Sequence, residues 1–171
     1  MKRAHEIRNA IKDLASAYDL QIIYAFGSRA AEARDFSNGT IGSLSHGPSD
    51  LDIGIKSTRR LTVQEKVEIA VFFEDLFGAP PADLAVIPEL PITLAFRIVT
   101  GELLFAQDRT CEAEYQLYIM RMAADLEPYE KEMTRMTLGA CHVARQHRRE
   151  VNRAACPLDP RSHRRHEGAP S

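Results

Sequence analysis

Cysteine is scarce and badly placed for cross-linking: Cys111, Cys141 and Cys156 are odd in number, widely separated and form no Cys-x-x-Cys pair. That excludes a disulfide framework and a zinc ribbon, and points to reduced thiols in the cytoplasm. No apolar run approaches the roughly 18 residues of a membrane span, so no membrane partner is expected. Met1-Lys2-Arg3-Ala4-His5-Glu6 leads into a charged amphipathic stretch and not into an apolar signal core, so secretion is not expected. No internal repeat is visible, which excludes solenoids and propellers.

What is present suffices for a core. The 171 residues are 44% hydrophobic and 27% charged, the balance of one globular domain. The net charge of −2 is unevenly spread. From His142 to Ser171, seven arginines face Glu150, Asp159 and Glu167, a net +4 that leaves −6 for the rest. This end also holds Pro157, Pro160 and Pro170 and few large apolar side chains, so it has little to bury. The reading is a folded unit over 1–140 and a basic, disordered tail over 141–171. His142, His147, His163, His166 and Cys156 lie in that tail at spacings matching no familiar zinc site. It has no aromatic residue on which bases would stack, so direct nucleic-acid binding is not expected.

Within the folded unit, helical and strand periodicities interleave. Ile7, Ile11, Leu14 and Tyr18 mark a helix over 4–18. Gln21–Phe26 reads as a buried strand ended by Gly27, and residues 34–49 as loop. Leu51–Lys56 alternates as a half-buried strand does. Thr62 and Glu65 have capping-box spacing ahead of a helix that runs to Gly78. Asp83–Ile87 is a third predicted strand, Pro91 opens a helix closed by Gly101, and Glu102–Ala106 is a fourth strand. Tyr115, Tyr118, Ile119, Met122 and Leu126 form one stripe of a long helix, which packs on the sheet or faces a partner. Pro128 is expected to interrupt it before a further helix. The fold class is α/β (α+β): a small mixed sheet flanked by helices, with a C-terminal helical segment.

Three features at strand ends carry possible chemistry. Gly27-Ser28-Arg29 follows the first strand and precedes an Ala-rich helix, which sets unpaired N–H groups and a hydroxyl where a phosphate can sit. The same residues also serve as an ordinary turn and cap. Asp50 and Asp52 project from one face of their strand, and two adjacent carboxylates stay ionised cheaply only around a cation such as Mg²⁺. The alternative is a loop cap and a solvated edge residue. Asp83 begins the next strand and completes a triad if the two strands are neighbours.

This order of elements resembles the DNA polymerase β-like nucleotidyltransferases, and among them the minimal MNT antitoxins of HEPN/MNT toxin–antitoxin systems. The signature residues are Gly27-Ser28, Asp50-Leu51-Asp52 and Asp83. The similarity extends through Gly101–Phe105, Asp108-Arg109 and Asp125–Tyr129. Two departures stand out: Glu32 replaces a glycine usual in the family, and 21 residues separate Ser28 from Asp50, about twice the usual spacing. The stretch Phe36–Pro48 therefore reads as a polar insertion, mobile beside the site.

The resemblance implies a polymerase β-like fold and a nucleotidyltransferase of the protein-adenylyltransferase type. Asp50, Asp52 and Asp83 would be catalytic and hold two Mg²⁺ ions, and Gly27, Ser28 and Arg29 would bind the triphosphate of ATP. The implied acceptor is a tyrosine of a cognate HEPN ribonuclease toxin, silenced by AMP. The alternatives are transfer to a small molecule such as an aminoglycoside, or neutralisation by binding alone.

Overall fold

The computed structural model describes residues 2–45, 49–78 and 81–154, with side chains over 4–136 of these. Two compact units divide the chain, 1–125 and 126–171. The first contains α1 (Lys2–Ala17), β1 (Leu20–Phe26), α2 (Ala30–Ser37), β2 (Leu51–Ser57), α3 (Val63–Phe77), β3 (Ala82–Val86), α4 (Ile92–Val99), β4 (Glu102–Ala106) and the start of α5 (Arg109–Ala154).

The strands form one sheet in the order β3-β2-β1-β4. β1 runs antiparallel to both β2 and β4, while β3 joins β2 in parallel through the α3 crossover. Strand alternation then sorts the side chains onto two faces. Ile23, Ala25, Leu51, Ile53 and Ile55 share a core with Ile7, Ile11 and Leu14 of α1, Ala33 and Phe36 of α2, and Ile69 and Phe73 of α3. Ile22 and Tyr24 point the other way, against Ala95, Ile98 and Val99 of α4 and Ile119 of α5. Gly54 has no side chain to hold α4 off, and Ile98 occupies the space a Cβ would take.

Local chemistry ends the elements where patterning expects. Thr62 Oγ1 accepts from the Glu65 amide at 3.2 Å, and Glu65 returns the bond to the Thr62 amide at 2.7 Å, a complete capping box. Arg59 adds a 2.6 Å contact, and together these bonds hold the Glu65 carboxyl down at about 2. Gly78 closes α3 in the left-handed region. The start of α5 is fastened to the sheet by the Tyr24 hydroxyl donating to Glu112, both side chains being buried, and by Gln116 donating to the Val99 carbonyl at 2.6 Å. Burial, followed by the Glu112 bond, pushes the Tyr24 hydroxyl far above its usual range, so it stays a donor.

Several readings need correction. β3 begins one residue earlier than predicted, and Ile87 belongs to a short 3₁₀ turn with Pro88. Helix α2 continues to Ser37, so Phe36 is a buried helical residue and not part of a polar loop. Beyond it Leu44 is buried and Ile41 packs on the core; these apolar residues tie down a stretch that glycine and serine make look unstructured. Residues 46–48 lie outside the described residues.

Helix α5 passes through Pro128 without ending, because proline deletes a single N–H donor between strong helix formers. Of the stripe on α5, Ile119 is buried and Tyr115 packs beside it, whereas Tyr118 is 56% exposed. In the second unit the helical backbone reaches Ala154. Residues 155–171 of the basic tail lie outside the described residues.

Candidate active site

The sheet register brings the predicted site together. Asp52 is paired with Phe26 of β1 on one side and with Asp83 of β3 on the other. The parallel register of β3 on β2 is what sets Asp83 directly beside Asp52. Asp50, two residues earlier and just ahead of β2, lies one pleat further out. Asp50 and Asp83 are exposed and Asp52 is half-buried.

These positions set the electrostatics. Burial raises the Asp52 carboxyl above its usual range, and the charges of Asp83 and then Asp50 push it further. Arg97 of α4 acts in the opposite direction. Three carboxylates at one sheet end thus carry an unfavourable negative field. Among the described residues, no three His, Cys, Asp or Glu side chains are gathered tightly enough to ligate a metal as they stand. The donors are nonetheless all oxygen, the set that suits a hard divalent cation with water and phosphate completing its shell.

The turn after β1 forms the opposite wall. Gly27 has φ +76°, and a Cβ there would collide with the Asp52 carboxylate. Only glycine fits this left-handed, close approach. A 3₁₀ turn over Gly27–Arg29 runs into α2, and no side chain caps either start. The first N–H groups are therefore left for solvent or an anion, with the exposed Ser28 hydroxyl among them. Gly27→Ala should cost about 1–2 kcal/mol from the left-handed strain alone and displace Asp52. Urea denaturation measures this, and an unchanged midpoint would contradict the tight fit.

Arg29, expected at the triphosphate, is turned into the connection between α2 and β2. Its side chain is 5% exposed, and the guanidinium donates to the Ser45 carbonyl at 2.7 Å, the Ser49 carbonyl at 3.2 Å and Glu32 at 3.3 Å. Ser45 Oγ in turn donates to Glu32 at 2.5 Å, which, with the Arg29 contacts, lowers the Glu32 carboxyl. The glutamate that departs from the family pattern and the long connection to Asp50 are thus parts of one network. The Arg29 guanidinium is thus engaged by the loop in this structure.

Arg97 was missed by the sequence reading. Its one signal is that it is the sole charged residue of α4, Ile-Thr-Leu-Ala-Phe-Arg-Ile-Val.

No protein-family model matches the chain, and no curated protein sequence is similar to it. Solved structures are similar. One is a chain of a mutant MntA toxin–antitoxin complex, with TM-score 0.59 and 19% identity, spanning 77% of this chain and 98% of that one. A second is a chain of a toxin–antitoxin complex with AMP-PNP, with TM-score 0.57, 22% identity and coverage of 77% and 98%. A third is a chain of the complex between a tri-AMPylated Shewanella oneidensis HEPN toxin and its MNT antitoxin, with TM-score 0.56, 19% identity and coverage of 79% and 98%. At these identities the likeness is one of architecture: the chain has the mixed α/β fold seen in these MNT antitoxin structures.

Proposed function

We propose that this protein is a nucleotidyltransferase antitoxin that moves AMP from ATP to a tyrosine of a HEPN ribonuclease partner. The observation that carries the reading is the meeting of Asp50, Asp52 and Asp83 with the uncapped Gly27-Ser28 turn at one end of the sheet. The neighbours that share this fold include one structure with AMP-PNP and one with an AMPylated toxin, which supports the same chemistry here.

Each residue has a distinct task. The Gly27–Ser28 backbone N–H groups and the Ser28 hydroxyl hold the triphosphate at the start of the turn. Asp50, Asp52 and Asp83 would hold Mg²⁺, which when bound neutralises charge on the entering and leaving oxygens. Asp83, exposed at the rim, accepts the proton of the tyrosine hydroxyl as its oxygen attacks the α-phosphorus. The bond to the β-phosphate oxygen breaks and pyrophosphate departs. Arg29 keeps Ser49, and so Asp50 after it, in place.

The test is incubation with α-labelled ATP, Mg²⁺ and a HEPN protein, read by label on the partner and by intact mass. Label transfer that a chelator abolishes is the expected result. Tight complex formation with no label transferred would leave neutralisation by binding alone. Transfer to an aminoglycoside but not to the protein would assign a small-molecule acceptor.

A further inference from the structure

Helix α4 reaches the proposed site from above the sheet. Ile98 lies on Gly54, two residues along β2 from Asp52 and on the same face. Gly101, just past the helix, packs so closely on the Ala25 carbonyl and Phe26 that a Cβ would have no room there. The final turn of α4 therefore lies over Gly54 and the Ala25–Phe26 end of β1, which pairs with Asp52. Arg97 belongs to that turn and is exposed. Among the described residues its guanidinium makes no hydrogen bond or ion pair, in contrast to Arg29, Arg34 and Arg59, which are all engaged.

An unpaired guanidinium that acts on the Asp52 carboxylate without forming a bridge to it has its donors free for an anion. The anion offered by the reading above is a triphosphate seated on the Gly27-Ser28 turn. Planar, bidentate donors match phosphate oxygens, and a rigid helix turn positions them. We infer, resting on the nucleotidyltransferase reading, that Arg97 binds the β- and γ-phosphates of the NTP, the part that leaves as pyrophosphate. The residue thereby selects triphosphates over monophosphates. It also offsets negative charge that would otherwise repel the substrate from Asp50, Asp52 and Asp83.

Arg97→Ala, Arg97→Lys and the unaltered protein are titrated with ATP and with AMP, each in Mg²⁺, alongside thermal melts. Because the side chain is exposed and bonds to nothing, the melts should coincide. Arg97→Ala should weaken ATP at least tenfold and change AMP less than twofold, with Arg97→Lys recovering only part of the loss. Unchanged ATP affinity, equal weakening of ATP and AMP, or full rescue by lysine would each overturn the assignment; the last would show a general field in place of bidentate contact. If the unaltered protein binds no nucleotide, the nucleotidyltransferase reading falls and this inference with it. If it binds ATP and Arg97→Ala binds it equally, only this inference falls.

Discussion

Asp52→Asn is expected to lower AMP transfer by at least two to three orders of magnitude while raising the melting temperature. The loss follows from the position of Asp52, flanked by Phe26 and Asp83 and pressed against Gly27, where an amide keeps the shape but cannot neutralise a cation; removing one pre-organised electrostatic group typically costs that much. The gain follows from the raised carboxyl. Burial and then the charges of Asp83 and Asp50 disfavour its ionised form in the fold. Below the ordinary carboxylate range both folded and unfolded chains hold the proton, and the group costs nothing. As pH rises through that range the unfolded chain releases its proton first, and stability falls until the raised folded value is passed. Asparagine removes this penalty, so its advantage in melting temperature should be absent in acid, grow with pH and then level off. Thermal melts from acid to neutral pH, set beside label transfer, provide both readings. A variant that loses activity and is less stable at neutral pH would show that Asp52 is supported by its surroundings and not strained by them.

Much of this arrangement is written locally in the chain. The alternation of Leu51–Lys56 places Asp52 and Gly54 on one face and Leu51, Ile53 and Ile55 in the core, and the capping box at Thr62 starts α3 where the structure starts it. Two of the three carboxylates were thus assignable to one face from spacing alone. Asp83 was not, because its meeting with Asp52 depends on β3 lying parallel to β2 in a particular register, a long-range fact with no local signature. Arg29 shows a second kind of limit. A guanidinium after a Gly-Ser turn suggests phosphate, yet its partners are the carbonyls of Ser45 and Ser49, which any residue would offer. Side chains that bond to backbone leave no pattern in a sequence. The α2 extension and the buried Leu44 were obscured because glycines and serines outnumber the few apolar residues that decide the packing.

Arg29→Ala should destabilise the protein by about 3 kcal/mol, the scale for removing a buried charged donor and stranding its acceptors. At this chain length that corresponds to roughly 6–12 °C in melting temperature. Three bonds disappear together, to Ser45, Ser49 and Glu32, and Glu32 keeps its bonds from Ser45. The effect should then pass to the site, since Ser49 precedes Asp50, whose carboxylate sits just outside β2 and relies on the loop for its position. Transfer should therefore fall in Arg29→Ala even at temperatures where the fold persists, with ATP affinity changing less than turnover. Arg29→Lys retains one charged donor but not the fork that spans two carbonyls, so it should recover part of the stability and less of the activity. The opposite pattern, in which Arg29→Ala melts like the unaltered protein and loses ATP affinity, is what a phosphate ligand at this position would produce. Urea denaturation and ATP titration on the same two variants therefore decide whether Arg29 holds the loop or the substrate.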